Sequence, residues 1–212
     1  STYWILSRYL SYHGIMVDAE ELKNQYFECI NKALTNTDEQ HPEINVFDIF
    51  SQIMHRYGNG IYNEQCITDV CLLFRSLTIR QFQLFPDVIE TLSYLQSRYM
   101  LGLISDAQWV FTEPEIRITN IERFFKKRVL SSRYGYKKPD KRLFKSMLKK
   151  LDVRSEDAIY IGDNPQRDLI GAKQSGMRCL LFRNDNPFYN GYTADGIFYN
   201  YSELVGLINR LV

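Results

Sequence analysis

Two aspartates, Asp163 and Asp168, stand five residues apart in IYIGDNPQRDLIGAKQSGM (159–177), after a short apolar run and before a helical pattern. Hard carboxylates so placed suit magnesium, which keeps several waters and is held by one or two acids together with a substrate phosphate. Matching chemistry recurs twice more. Ile104 is followed by Ser105-Asp106, and Gly135-Tyr136-Lys137-Lys138-Pro139-Asp140 leads Lys138 toward a helix entry. A phosphoryl group in transfer spreads negative charge over its oxygens and needs donors and cations already in place. The Ser105 hydroxyl, the Lys138 ammonium and a divalent metal at Asp163 make such a set. Asp163 is the expected direct ligand; Asp168 either completes the shell through water or orients Lys138.

Each residue also has a plainer explanation. Ser105 could be a helix cap, Lys138 a solvated charge, and the aspartates a turn residue and a first-turn acid favoured by the helix dipole. Proline holds the preceding Lys138 extended, and Pro139 is expected at the start of a helix. Their common placement is what joins these residues, and it depends on the elements that carry them.

The chain changes character near Phe85-Pro86. Before it, apolar residues recur at helical spacing: Leu22, Tyr26, Ile30 and Leu34 after a capping-box-like Asp18 and Glu21; Val46 to Tyr57 up to Gly58-Asn59-Gly60; and Cys66, Val70, Cys71, Phe74 and Leu77. Residues 1–82 are therefore expected to form a helical domain. After Pro86, helical patterns alternate with short apolar runs at 100–104, 128–130, 158–161, 178–182 and 196–199, the first of which reads as a strand buried on both sides. Strands separated by helical crossovers predict a parallel sheet over 83–212, covered by helices on both faces. Ligands bind such sheets at the carboxyl ends of the strands, where Ser105, Asp106 and Asp163 fall.

The 212 residues, 45% of them hydrophobic, can bury a sizeable core, and a net charge of +1 gives no global attraction to nucleic acid or acidic membranes. The basic run from Lys126 to Lys150 reads as a solvated helix face. Cys29, Cys66, Cys71 and Cys179 form no Cys-x-x-Cys pair and read as free core thiols of a cytoplasmic protein; no run is long enough to span a bilayer. His13, His41 and His55 suggest no metal site, and Phe188 to Tyr192 reads as a loop.

Leu103-Ile104-Ser105, then Lys138-Pro139-Asp140, then Gly162-Asp163-x-x-x-x-Asp168 with Gly171-Ala172 and Gly176-Met177, resembles in order the motifs of the haloacid dehalogenase superfamily. The resemblance covers the whole chain. It implies a three-layer, Rossmann-like α/β core with an inserted α-helical cap domain. It also implies magnesium-dependent hydrolysis of a small phosphorylated metabolite through an aspartyl-phosphate. Ser105 and Asp106 would bind the phosphate, Lys138 would stabilise the nucleophile and the transferring group, and Asp163 with Asp168 would place the metal. Neither nucleic acid nor membrane is an expected partner, and the oligomeric state is left open.

The sequence departs from the family at one point: it contains no Asp-x-Asp, the nucleophile motif that ends the family's first strand. That strand lies mid-sheet, between those ending at Ser105 and Asp163. Without it, facing rows of backbone groups stay unpaired, each buried group costing about 1–3 kcal/mol. The chain is therefore expected to be an incomplete copy, inactive by itself, unless another segment fills the gap. Metal-free carbon–halogen hydrolysis, mutase chemistry and a non-catalytic phosphate-binding module stay open as alternatives.

Overall fold

The computed structural model describes residues 1–60 and 62–212, which divide into two compact units. One comprises Ser1–Phe82, Ala107–Glu115 and Ser132–Tyr136; the other comprises Gln83–Asp106, Ile116–Ser131 and Lys137–Val212. Two segments beyond residue 82 thus join the helical unit.

In that unit, α1 (Thr2–Tyr12), α2 (Ala19–Thr35), α3 (Val46–Tyr57) and α4 (Glu64–Thr78) follow the predicted spacing. Their starts are chemically marked: Asp18 accepts from the amides of Glu20 and Glu21, Asn45 from that of Phe47 and Asn63 from that of Cys66. Leu6, Leu10, Leu22, Phe50 and Val70 are wholly buried in one core, and Val110 and Phe111 of the later segment are buried there too. Gln108 fastens that segment, its Oε1 accepting from Val46 N at 2.7 Å and its Nε2 donating to Ile44 O at 2.9 Å.

The second unit alternates helix and strand: α5 (Val88–Gln96), β1 (Gly102–Ser105), the end of α6 (Trp109–Ile118), β2 (Lys127–Leu130), α7 (Lys141–Leu151), β3 (Ile159–Gly162), α8 (Ile170–Gln174), β4 (Arg178–Phe182), β5 (Phe188–Tyr189), β6 (Tyr192–Thr193), β7 (Gly196–Phe198) and α9 (Tyr201–Leu211). The parallel pairing is as expected, but it forms two sheets. One is β1-β2 and the other β3-β4-β7. Helix α7 packs on β1 and β2, α8 on β4, and α9 on β7 and α5.

The break leaves one edge of β1 and one of β3 unpaired among the described residues, as expected of a chain without the family's mid-sheet strand, and it corrects the expectation that β1 is buried on both sides. Leu103 and Ile104 of β1 are half-buried, and Ile161 of β3 is 37% exposed. Among the described residues each of these strands is paired along a single edge, whereas β4 is paired along both and its Cys179, Leu180 and Leu181 are wholly buried. Burial pushes the thiols of Cys71 and Cys179 each up to about 12, as suits inert core cysteines.

Two local readings also change. Phe188 to Thr193 is a small hairpin, turned by Asn190 and Gly191 at φ +47° and +83°, and that Asn-Gly pair is a hairpin signal in itself. Pro139 lies outside its helix: the peptide before it is cis, and α7 begins two residues later behind Asp140, whose carboxylate accepts from Arg142 N.

Candidate active site

Lys138 joins the loops at the carboxyl ends of the strands. Its backbone N–H donates to Asp106 Oδ1 at 2.9 Å, just past the end of β1. Its ammonium donates to Asp168 Oδ1 at 2.6 Å and to the Tyr160 hydroxyl at 3.1 Å, on the segment that begins with β3. One residue therefore ties together the three motif-bearing segments, and it does so with its side chain only 11% exposed.

Asp168 is the counterpart of that knot. Its carboxylate, 1% exposed, receives four donors: Lys138 and the Tyr160 hydroxyl (3.0 Å) on Oδ1, and the amides of Asp163 (3.0 Å) and Asn164 (2.9 Å) on Oδ2. A carboxylate has about four lone-pair positions, so these fill it. The chain allows this packing because residue 162 is glycine: a Cβ there would lie 2.5 Å from the carboxylate. Burial by itself would raise the Asp168 pKa, but the charge and hydrogen bond of Lys138, helped by Asn164 and Tyr160, outweigh it and hold the carboxyl below its ordinary value. The Tyr160 phenol goes well above its ordinary value, through burial first and then the Asp168 charge.

The other predicted residues stand differently. Ser105 ends β1 opposite Leu130, and its hydroxyl is not engaged by any described residue. Asp163 follows β3 directly; its side chain is exposed and its carboxylate is likewise unengaged. The second oxygen of Asp106 is buried and has no hydrogen-bond partner among the described residues. Arg167 Nη1 approaches that oxygen to 3.6 Å, beyond hydrogen-bonding reach.

The charges decide what could bind. Asp106, Asp163 and Asp168 against Lys138 and Arg167 leave a formal charge of −1 (two minus three). A phosphate dianion alone would meet net repulsion, and a divalent cation reverses the sign. Among the described residues no cluster of three or more His, Cys, Asp or Glu could hold a metal. His13, His41 and His55 belong to the helical unit.

Tyr160 and Arg167 escaped the sequence reading. Alternation along β3 places Tyr160 on the buried side, but no spacing rule pairs it with Lys138 or Asp168. Arg167 lies in a π-helical turn, Pro165–Leu169, whose form the sequence does not announce. The helical unit holds a further feature, a cleft of about 550 Å³ walled in part by Glu43, Asn45, Asp48, Gln52, Trp109 and Arg133. Trp109 is fixed there: its N–H donates to Ser132 Oγ at 2.8 Å, and the Arg133 guanidinium lies 4.0 Å from its ring centre.

Comparison with known proteins gives the family and the fold. The family profile described as haloacid dehalogenase-like hydrolase matches residues 14–182. A glyceraldehyde 3-phosphate phosphatase of Methanocaldococcus jannaschii is 25% identical over 93% of this chain and 84% of its own length. That of Pyrococcus furiosus is 27% identical over 81% of this chain and 68% of its own. Among solved structures, 2-haloacid dehalogenase from Pseudomonas syringae pv. Tomato DC3000 superposes with a TM-score of 0.69 at 20% identity, over 98% of this chain and 89% of that one. A HAD phosphatase from Thermococcus onnurineus gives 0.58 at 21%, over 98% and 86%. At those identities the structures speak to fold alone.

Proposed function

This chain belongs to the haloacid dehalogenase-like hydrolase family, and from that premise we propose that its strand-end loops bind a small phosphomonoester with magnesium for hydrolysis through an aspartyl-phosphate. In the proposed reaction the ester P–O bond breaks as a carboxylate oxygen bonds to phosphorus, and water then releases phosphate. No Asp-x-Asp occurs in these 212 residues, so the chain described here supplies binding and orientation. By itself it is expected to hold phosphate without turnover.

The roles follow from the chemistry of each side chain. Ser105 donates its hydroxyl to a phosphate oxygen. Lys138, with one donor left after Asp168 and Tyr160, directs it to the same group. Asp163, exposed and unengaged, holds the metal, which when bound neutralises charge on the phosphoryl oxygens. Asp168 was expected to place the metal through water or to orient Lys138; its four filled acceptor positions favour the second role. Asp106 fixes the Lys138 backbone. The helical unit is proposed as the cap that sets substrate choice, and the phosphatases named above favour a small phosphorylated metabolite as substrate. No described helix is long and apolar enough to cross a membrane, and the four free cysteines favour the cytoplasm.

The observation that carries this reading is the grip of Asp106 and Asp168 on Lys138, which leaves its ammonium a single preoriented donor. Dehalogenation needs no metal, and the exposed, unengaged carboxylate of Asp163 favours the phosphatase. The test is calorimetric binding of inorganic phosphate with and without magnesium. Affinity that rises with magnesium and falls in Ser105→Ala and Asp163→Asn supports the reading. Phosphate binding indifferent to magnesium, or metal-independent chloride release from a haloacid, refutes it. A non-catalytic module would show the same binding and no turnover of an aryl phosphate even when a strand bearing Asp-x-Asp is present.

A further inference from the structure

We infer that Arg167 is a second oxyanion-binding residue of this site, one that meets the substrate with its guanidinium fork. The inference rests on the phosphate-binding reading above. Lys138, the cation that the sequence marks, has spent most of its donors: its Nζ lies 2.6 Å from Asp168 and 3.1 Å from Tyr160, and its side chain is 11% exposed. Arg167 is the opposite case. Its side chain is 47% exposed, and the approach of Nη1 to Asp106 Oδ2 at 3.6 Å is too long for a hydrogen bond.

Its backbone, by contrast, is held. The Arg167 amide donates to Asn164 Oδ1 at 3.1 Å and to the Asn164 carbonyl at 3.2 Å, within the π turn between Asp163 and Asp168. Turns of that form are frequent at functional sites. A guanidinium presents paired donors that match a carboxylate or phosphate edge.

Asp106 supplies the second, independent observation. Its side chain is 9% exposed, and Oδ2 is buried without a hydrogen-bond partner. A lone buried carboxylate oxygen is costly. It draws the guanidinium toward the loop that follows Ser105 without saturating it, leaving the remaining donors for a ligand. Asp106 Oδ1 meanwhile holds the Lys138 amide, so Arg167 and Lys138 are referred to one carboxylate. The ligand chemistry is an oxyanion, either the phosphoryl group itself or a carboxylate carried elsewhere on the substrate.

The test is titration of the magnesium-loaded chain with inorganic phosphate, ethyl phosphate and phosphoglycolate, in wild type, R167Q, R167Q/D106N and S105A. We expect R167Q to weaken binding by roughly tenfold or more, as loss of a charge-assisted contact does, and the double variant to stay weak. Equal loss on all three ligands assigns Arg167 to the phosphoryl group; loss on phosphoglycolate alone assigns it to a carboxylate. If R167Q binds all three like wild type, or if its loss is restored in R167Q/D106N along with thermal stability, Arg167 is only the counter-ion of Asp106 and the inference fails. If S105A also binds as wild type does, the phosphate site itself is wrong, a separate result.

Discussion

The helical unit and the sheet unit satisfy their backbones in different ways. Each helix from α1 to α4 closes its own hydrogen bonds, and the core they bury is sealed, with Leu6, Leu10, Leu22, Phe50 and Val70 at zero exposure. The sheet unit depends on neighbours for the same service. Among the described residues strand β4 has one on each side and is buried, while β1 and β3 have one each and are partly open, Ile161 being 37% exposed. A helix is complete within one stretch of sequence, but a parallel strand is complete only when strands distant in the chain lie on both edges. The polar contacts of the sheet unit are therefore expected to carry more of its integrity, with the buried Lys138 to Asp168 pair at their centre.

The largest effect should come from breaking that contact. Lys138→Met leaves the Asp168 carboxylate buried without its cation and should destabilise the sheet unit by about 3–5 kcal/mol. Hydrogen exchange should show amides of 159–162 losing protection while those of 19–35 keep theirs; equal loss in both would erase the contrast. Acid provides the same test without mutation. The Asp168 pKa is held below its ordinary value, so its contribution is complete above that value and is lost as pH falls through the lower folded one. The sheet unit of wild type should open over that range, and Lys138→Met should lose most of this acid step.

A smaller effect is expected at Gly171, where a Cβ would lie 2.2 Å from the Phe144 ring. Gly171→Ala should cost about 1–3 kcal/mol by overpacking, again confined to the sheet unit. The smallest belongs to the helical unit. Asp18→Ala removes the acceptor for the amides of Glu20 and Glu21 and should lower the stability of that unit by about 1 kcal/mol in urea unfolding. A cost as large as that of Lys138→Met would show that the helical unit also rests on one polar contact.

Much of this could be read beforehand, for local reasons. Helical spacing, with Asp18 before the first of them, announces α2 to α4, and apolar runs announce β1 to β4 and β7. Ser105, Asp106, Lys138, Asp163 and Asp168 were visible because their types and order are chemical signals. The Asn190-Gly191 turn was equally legible and read too cautiously as a loop. Arg167 and Tyr160 were not legible, since neither stands at a spacing that carries meaning by itself. Nor was the membership of 107–115 in the helical unit, which rests on Gln108 reaching Ile44 and Val46.

The amino-acid order thus determined which segments are helix or strand, and which side chains could handle a phosphate and a hard cation, because periodicity and residue chemistry act over a few neighbours. The tertiary structure decided that Asp168 is filled by four donors and serves Lys138, and that Asp106 keeps an oxygen without a hydrogen bond facing Arg167. Those outcomes depend on which distant groups compete for each donor and acceptor, and only the folded chain brings the competitors together.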